Sequence, residues 1–442
     1  MKSMKSMKIL LVWPSALSNI EERQQIFPMS EPLALEYLAA AAEEEGHVVQ
    51  IFDMRLNSKP LSDVIASFGP DIVGVTAYSM HVRTAISITN EIKSYNQMII
   101  TIVGGHHATL LPEDFFEPSI DYVVVGEGIT AFKDIIGVAA ENKLSREVLP
   151  GAWTQIGGEF HDGGRGETLG NDMIPLPNRE ITGPERIHYF IDWMKPVALL
   201  RTSIGCPYRC TFCSLWKIEE GRYHIRNPHK VVKELKTIQE PYIFLVDDEA
   251  FINRRRMIEL AGAIKESGIK KKYFAYCRMD TLVKNQAALE AWRDIGLERV
   301  FIGIDSITTK GLKELNKKYD TVTIEEGLKV AKEIGVKVFA QFIVSTDYED
   351  KDFDRLIRFI EQYRIEYPSF TVLTPLPGTE LLSNFDLVTE LQDNGRPNWD
   401  LFDTDNPVVK TKLPKSYFVE RYEGLWRTFA GSHNQFEDHQ IV

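Results

Sequence analysis

From residue 8 to about 142 the chain alternates short, nearly unbroken apolar runs with amphipathic stretches. The runs are KILLVWP, VVQIFDM, DIVGVTAYS, MIITIVGG and DYVVVGEG. Strands apolar on both faces belong in a parallel sheet covered by helices on each side. Between the first two lies PLALEYLAAAAEEEG, where Leu35, Leu38, Ala39 and Ala42 share one helical face. Ser30 is placed to cap that helix and Gly46 to end it. The alternation predicts a doubly wound, Rossmann-like α/β domain over residues 1–145. It would have five parallel strands and a ligand beyond their carboxyl ends.

The pattern then breaks. Residues 146–195 concentrate glycine, proline and polar side chains (GGEFHDGGRGETLGNDMIPLPNRE) without periodicity, and read as a linker or small irregular insert. From residue 196 a second alternation runs through PVALLRTSIG, YIFLVDD, KYFAYCRM, RVFIGID, KVFAQFIVS and SFTVLTPL. Asn227 and Pro228 start one intervening helix as cap and first-turn proline, and Thr323 with Glu326 makes a capping box on another that Gly335 closes. Six strand–helix units over residues 196–385 predict a partial (β/α)6 barrel of the TIM type. Chemistry in such folds sits at the C-terminal strand ends. Residues 386–442 form an extension whose Trp399, Tyr417, Tyr422 and Trp426 are read as packing that closes the open side of the barrel.

Composition narrows the function more than the fold. With 442 residues, 44% of them hydrophobic and 26% charged, the chain supports sizeable cores. A net charge of −12 with no sustained basic run argues against nucleic acid as the main partner and fits a small-molecule substrate. The apolar run Ile9 to Trp13 is too short for a signal peptide. No stretch of about 18 apolar residues predicts a membrane span. Four cysteines, three of them clustered, suit a metal or redox role in a reducing cytoplasm better than a disulfide framework.

That cluster is GCPYRCTFC, with Cys206, Cys210 and Cys213 spaced C-x3-C-x2-C directly after the first barrel strand. A structural zinc site wants four soft ligands in two pairs, and only Cys277 remains, far along the chain. A thioredoxin-like pair would leave Cys206 without a role. Three thiolates on one loop bind three irons of a 4Fe–4S cluster and leave the fourth open. Zinc and coincidence stay as the alternatives on spacing alone.

C-x3-C-x-aromatic-C, with Phe212 as the aromatic, resembles the radical S-adenosylmethionine superfamily. VDDEAF (246–251), FIGIDS (301–306), QFIVSTDYED (341–350) and LTPLPGTEL (373–381) resemble its second, fourth, fifth and sixth strand ends. In the fifth, Ser345 and Asp347 stand where glycine and proline are usual, while Glu349 keeps the acidic position. SEPLALEYLAAAAEEEGHVVQIFD, VGGHHATLLPEDF and DYVVVGEG resemble the cobalamin-binding domain that precedes the barrel in one methyltransferase-like subclass. The cobalt-ligating motif D-x-H-x-x-G is absent, as it is from many members of that subclass.

The resemblance implies an enzyme in which Cys206, Cys210 and Cys213 hold the cluster and its open iron chelates S-adenosylmethionine. Reductive cleavage would yield a 5′-deoxyadenosyl radical that abstracts a substrate hydrogen, followed by methyl transfer from methylcobalamin to carbon. Cyclisation, rearrangement or oxidoreduction on the same architecture is the alternative, and a non-catalytic metal-binding regulatory module a more distant one. An electron donor such as flavodoxin or ferredoxin is implied as a partner. Asp305 is expected to meet the ribose, with Ser306, Phe212, Asp247, Glu249 and Glu349 as further cofactor contacts. Asp248 and Arg278 are expected in catalytic roles. Asp305, Asp247, Asp248 and Glu249 have helix capping as their plainer reading, and Arg278 an internal salt bridge with Asp280, close by in sequence. In the N-terminal half, Thr76, Ser79, Gly104, Gly105, His106, Glu127 and Gly128 lie at strand ends and are expected to line the cobalamin site. His106 and His107 lack a third ligand at metal spacing and read as pocket lining. Cys277 reads as a buried, inert thiol.

Overall fold

The computed structural model describes residues 5–16, 29–141, 147–167, 169–170, 172–191, 193–384, 387 and 396–430. The chain divides into two compact units. Among the described residues the first comprises 5–16, 32–186 and 396–400, and the second 29–31, 187–387 and 401–430.

The first unit is built on strands β1 (Lys8–Trp13), β2 (Val48–Asp53), β3 (Ile72–Thr76), β4 (Ile100–Gly104) and β5 (Tyr122–Val124). They are parallel in the order β2-β1-β3-β4-β5. Leu11 of β1 pairs with Ile51 on one side and Gly74 on the other. The order reverses between β1 and β3, which opens a crevice at their carboxyl ends. Ile9, Leu11 and Ile72 are buried with Leu35, Ala39 and Ala42 from the helix Leu33–Glu43. That helix starts after Pro32 rather than from a Ser30 cap, because proline at that point sets the chain direction without needing an N–H.

Residues 146–195, expected to be irregular, contribute two strands to this sheet. β6 (Ala152–Ile156) runs antiparallel to β5, and β7 (Glu159–Asp162) antiparallel to β6. Gly157 and Gly158 turn the hairpin at φ +63° and +92°. A two-glycine turn with both residues at positive φ matches strand twist, so AWTQIGGEFHD carried a hairpin signal inside a stretch that its flanking glycines made look like a loop.

The second unit opens with β8 (Val197–Leu200), then a two-residue pair β9 (Ser203–Ile204) and β10 (His224–Ile225). β11 (Tyr242–Leu245), β12 (Lys272–Tyr276), β13 (Leu297–Asp305), β14 (Lys337–Val344) and β15 (Tyr367–Val372) follow. The sheet is parallel in the order β8-β11-β12-β13-β14-β15, the sequential order of a partial barrel. One core lies between strands and helices, with Ile243, Leu245, Ile302, Ala340 and Trp292 all fully buried. The inner face is aromatic: Phe301 stacks on Phe339 and Phe244 on Phe274, with ring centroids 5.3 and 4.9 Å apart.

Asn227 caps the helix Pro228–Leu235, accepting the His229 N–H. The helix Thr321–Ile334 is capped by Asp320, not by Thr323, and ends at Gly335 with φ +78°. The C-terminal helix Lys415–Thr428 lies along β15, where the Tyr422 hydroxyl donates to the Phe370 carbonyl and Trp426 packs edge-on to the Phe370 ring. Trp399 belongs to the first unit, where its ring lies 4.9 Å from that of His107. No helix among the described residues is long and apolar enough to cross a membrane.

Candidate active site

β8 delivers the cysteine loop, and its entry is fixed by side chains from the end of β11 and from the helix Arg254–Glu266 that follows it. Asp247, fully buried, accepts the N–H groups of Thr202 (2.5 Å) and Ser203 (2.9 Å) and the Thr202 hydroxyl. Arg256 holds the other side of Thr202, donating to its hydroxyl and its carbonyl at 2.7 Å each. Asp248 accepts the Gly205 N–H at 2.8 Å. Gly205 has φ +87°, and a Cβ there would stand 2.0 Å from the Arg222 carbonyl oxygen, so only glycine fits. The exit is clasped as well: Asn316 donates to the Arg209 carbonyl at 2.5 Å, and the Thr211 N–H to the Leu315 carbonyl at 3.3 Å.

Cys210 is buried, Cys206 and Cys213 are half-buried, and all three are free thiols. Burial pushes Cys206 up to about 12 and Cys213 up to about 11, and the negative charge of a neighbouring loop cysteine adds to each. Thiols so placed need cations to stay deprotonated, which iron supplies on ligation. Among the described residues no three His, Cys, Asp or Glu side chains converge on one ion. Three thiols on one loop that feel one another's charge suit a polynuclear cluster, in which each binds a different iron.

A cavity of about 370 Å³ opens at the carboxyl ends of the barrel strands beside Phe212 of the cysteine loop. Asp248, Glu249, Arg278 and Asp305 line it, with Tyr276, Phe301, Ile343, Val372, Leu373 and Leu376 as its apolar walls. Burial raises Asp248 to about 6 and Glu249 to about 8. Burial thus favours the protonated form of Glu249, which accepts the Arg278 N–H at 2.6 Å. Asp305 ends β13 at φ +62°, where the β13–β14 register slips, and its carboxylate pairs with Lys317 Nζ at 2.5 Å. Burial works against the Lys317 charge, but Asp305 outweighs it and the ammonium is held above its ordinary value.

Several expectations change. Asp247 does not face the cavity; both its oxygens are spent on Thr202 and Ser203. Ser306 bonds to Thr308 and lines a neighbouring cavity of about 620 Å³ together with Asp305. Glu349 lines neither cavity. It begins the helix Asp350–Gln362 and pairs with Lys351 and Lys412 at 2.6 and 2.7 Å, which hold it down at about 2. Arg278 is engaged by Asp280, the Lys317 carbonyl and the Tyr208 ring. Cys277 is buried, and burial raises its thiol well above the usual range. Lys317, Tyr208 and Arg256 were missed because nothing local in sequence marks a residue whose partners lie elsewhere in the chain.

In the first unit the ends of β3, β4 and β5 gather Thr76, Ser79, Gly104, Gly105 and His106. Gly105 has φ +106°, and a Cβ there would meet the Ala77 backbone and Thr76 Oγ1 at 2.9 Å. The close approach it permits is therefore to the unit's own β3 loop; Gly104 has ordinary room beside Val124. Glu127 caps the helix Gly128–Ala140 by accepting the Ile129 N–H at 3.0 Å. Gly128, in the first turn, has only ordinary contact with Val124. His107 is buried between Asp114 Oδ2 (2.8 Å) and Ser79 Oγ (3.0 Å). Exposed at this edge are Tyr78, His106 packed on its ring, and Gly126, above which 4 Å is open. Bare backbone and a flat aromatic along the carboxyl ends of β3, β4 and β5 fit a broad, planar cofactor such as a corrin.

Comparison with known proteins agrees with both halves. Residues 28–136 match the B12 binding domain and residues 200–360 the Radical SAM superfamily. The hopanoid C-3 methylase of Methylococcus capsulatus is 30% identical over 437 residues, covering 96% of this chain and 81% of that protein. The cobalamin-dependent S-adenosylmethionine radical enzyme OxsB, with aqua-cobalamin and S-adenosylmethionine bound, shares the fold at a TM-score of 0.74 and 18% identity, covering 97% of this chain and 68% of that one. The radical S-adenosylmethionine methyltransferase TsrM from Kitasatospora setae, with cobalamin and a [4Fe-4S] cluster bound, does so at 0.68 and 17%, covering 99% and 91%. A thiol loop over a parallel barrel, a doubly wound sheet before it and a relative matched along 96% of this chain together decide the assignment: the chain belongs to the cobalamin-dependent radical S-adenosylmethionine methylase family, with a 4Fe–4S cluster, S-adenosylmethionine and cobalamin as its cofactors.

Proposed function

We propose that this enzyme methylates a carbon atom of a small, largely apolar molecule lodged in the cavity at the mouth of the barrel. The observation that carries the reading is the cavity's wall, where Tyr276, Phe301, Ile343, Val372, Leu373 and Leu376 supply aromatic and aliphatic surface beside Phe212. Such a wall holds a carbon skeleton and keeps out water. The hopanoid named for the Methylococcus relative is in keeping with a substrate of this kind.

When bound, the cluster supplies the electron that cleaves S-adenosylmethionine, and cobalamin supplies the methyl group. The chain's own residues orient and shield. Asp248, tethered by the Gly205 N–H, places a carboxylate next to the cysteine loop, suited to an ammonium group. Asp305 is held in one orientation by Lys317, suited to ribose hydroxyls. Glu249, whose burial favours its neutral form, limits the negative charge beside Asp248 and Asp305. A one-electron donor of the flavodoxin or ferredoxin class in the cytoplasm completes the reading.

The test is anaerobic incubation of the reconstituted enzyme with methyl-deuterated S-adenosylmethionine, reductant and a cell extract split into organic-soluble and aqueous fractions. A deuterated methyl group should appear in an organic-soluble metabolite. Label confined to the aqueous fraction would overturn the substrate class.

A further inference from the structure

Two buried cations flank the cysteine loop, and one touches it. The Arg278 side chain is only 9% exposed, and its guanidinium is fixed along its edges. Nε donates to Asp280 Oδ1 at 2.9 Å and one terminal nitrogen to the Lys317 carbonyl at 2.5 Å. Its face lies 3.7 Å from the centre of the Tyr208 ring. The other terminal nitrogen stands 3.8 Å from Cys210 Sγ, within N–H···S range. Lys317, itself buried and pinned by Asp305, adds a second positive charge that acts on Cys210 and Cys213. A guanidinium tied down in this way has no free fork with which to clamp a substrate carboxylate. Buried cations are also poor devices for stability alone, since apolar residues of similar volume do as well.

We infer that Arg278 is a positioning residue that raises the reduction potential of the cluster, by donating an N–H···S bond to the Cys210 sulfur and fixing a positive charge beside it. The inference rests on the cluster being held by Cys206, Cys210 and Cys213. One-electron reduction, with the electron drawn from an external one-electron protein donor, adds one negative charge to the cluster. A fixed cation and a donor to a ligating sulfur stabilise the reduced form more than the oxidised one. Asp280, Tyr208 and the Lys317 carbonyl hold the donor in place. The arrangement explains why a guanidinium sits here: a planar fork can satisfy Asp280, a carbonyl and a sulfur at once, which an ammonium on a flexible stem cannot.

The test is a redox titration followed by electron paramagnetic resonance on the full-length, anaerobically reconstituted protein without S-adenosylmethionine. The Arg278→Gln variant should keep its iron content and visible absorbance while its midpoint moves negative by at least about 59 mV, a tenfold change in a one-electron equilibrium. Arg278→Lys, which keeps the charge and loses the fork, should fall between. An Arg278→Gln protein with full iron and an unchanged midpoint overturns the inference. Should that variant fail to assemble a cluster, wild-type protein carrying guanidino-15N arginine decides: pulsed resonance on the reduced cluster should detect a 15N coupling, and its absence overturns the inference. Wild-type protein that binds no iron would instead remove the cluster assignment itself, and this inference with it.

Discussion

Replacing Lys317 by methionine tests the electrostatic reading of the barrel mouth without any cofactor. The ammonium and the Asp305 carboxylate are 2.5 Å apart, with side chains 6% and 4% exposed. The Phe212 and Tyr319 rings lie 5.8 and 5.6 Å from the ammonium. Both side chains are nearly closed off from solvent, and the Asp305 backbone at φ +62° is set by the β13–β14 slip, so the carboxylate cannot swing away once its partner is gone. Breaking one side of such a pair costs about 3–5 kcal/mol. For a unit of this size that corresponds to roughly 10 °C in Tm. Removing both charges, in Lys317→Met with Asp305→Asn, should recover most of the loss, because no buried charge is then unpaired. Urea titrations of the cofactor-free proteins, followed by far-ultraviolet circular dichroism, measure all three variants. A loss below about 1 kcal/mol in the single variant, or a double variant no more stable than the single, would show that the pair is solvated and refute the reasoning.

Three further outcomes follow from the same geometry. Gly205→Ala places a methyl group 2.0 Å from the Arg222 carbonyl, so the reconstituted protein should lack iron and visible absorbance while its circular dichroism stays native. Glu349→Ala should leave S-adenosylmethionine affinity unchanged by calorimetry and lower the melting temperature only slightly, because its ion pairs with Lys351 and Lys412 are screened by solvent. His81, buried in the first unit, is lowered to about 4 by burial and by the charge of Arg55. Between pH 6.5 and 4 the unfolded chain therefore binds the extra proton, and stability falls as pH falls. The full effect is about 3 kcal/mol, present above pH 6.5 and gone by pH 4. Melting of wild type and His81→Gln across that range should show the variant losing less.

What could be read from sequence was what repeats or clusters locally. Every strand of both parallel sheets shows as an apolar run, because strands buried on both faces need one. The three cysteines show because a metal loop crowds its ligands. The errors have a common cause. Asp247 and Glu349 carry the same carboxylate as Asp248, and only the partners the fold gives them (Thr202 and Ser203 for one, Lys351 and the distant Lys412 for the other) decide which faces the cavity. Lys317 was passed over because it lies in a polar stretch, ELNKKYD, where nothing local separates it from its exposed neighbour Lys318. The hairpin at Gly157 and Gly158 was legible in principle and lost among glycines that do other work.

The central claim is that one chain joins reductive cleavage of S-adenosylmethionine to cobalamin-borne methyl transfer, and the by-products test it most directly. During turnover of the anaerobic enzyme with cobalamin, reductant and a fraction containing the substrate, both 5′-deoxyadenosine and S-adenosylhomocysteine should accumulate together with the methylated product. Sustained 5′-deoxyadenosine formation and substrate consumption with no S-adenosylhomocysteine would contradict methyl transfer.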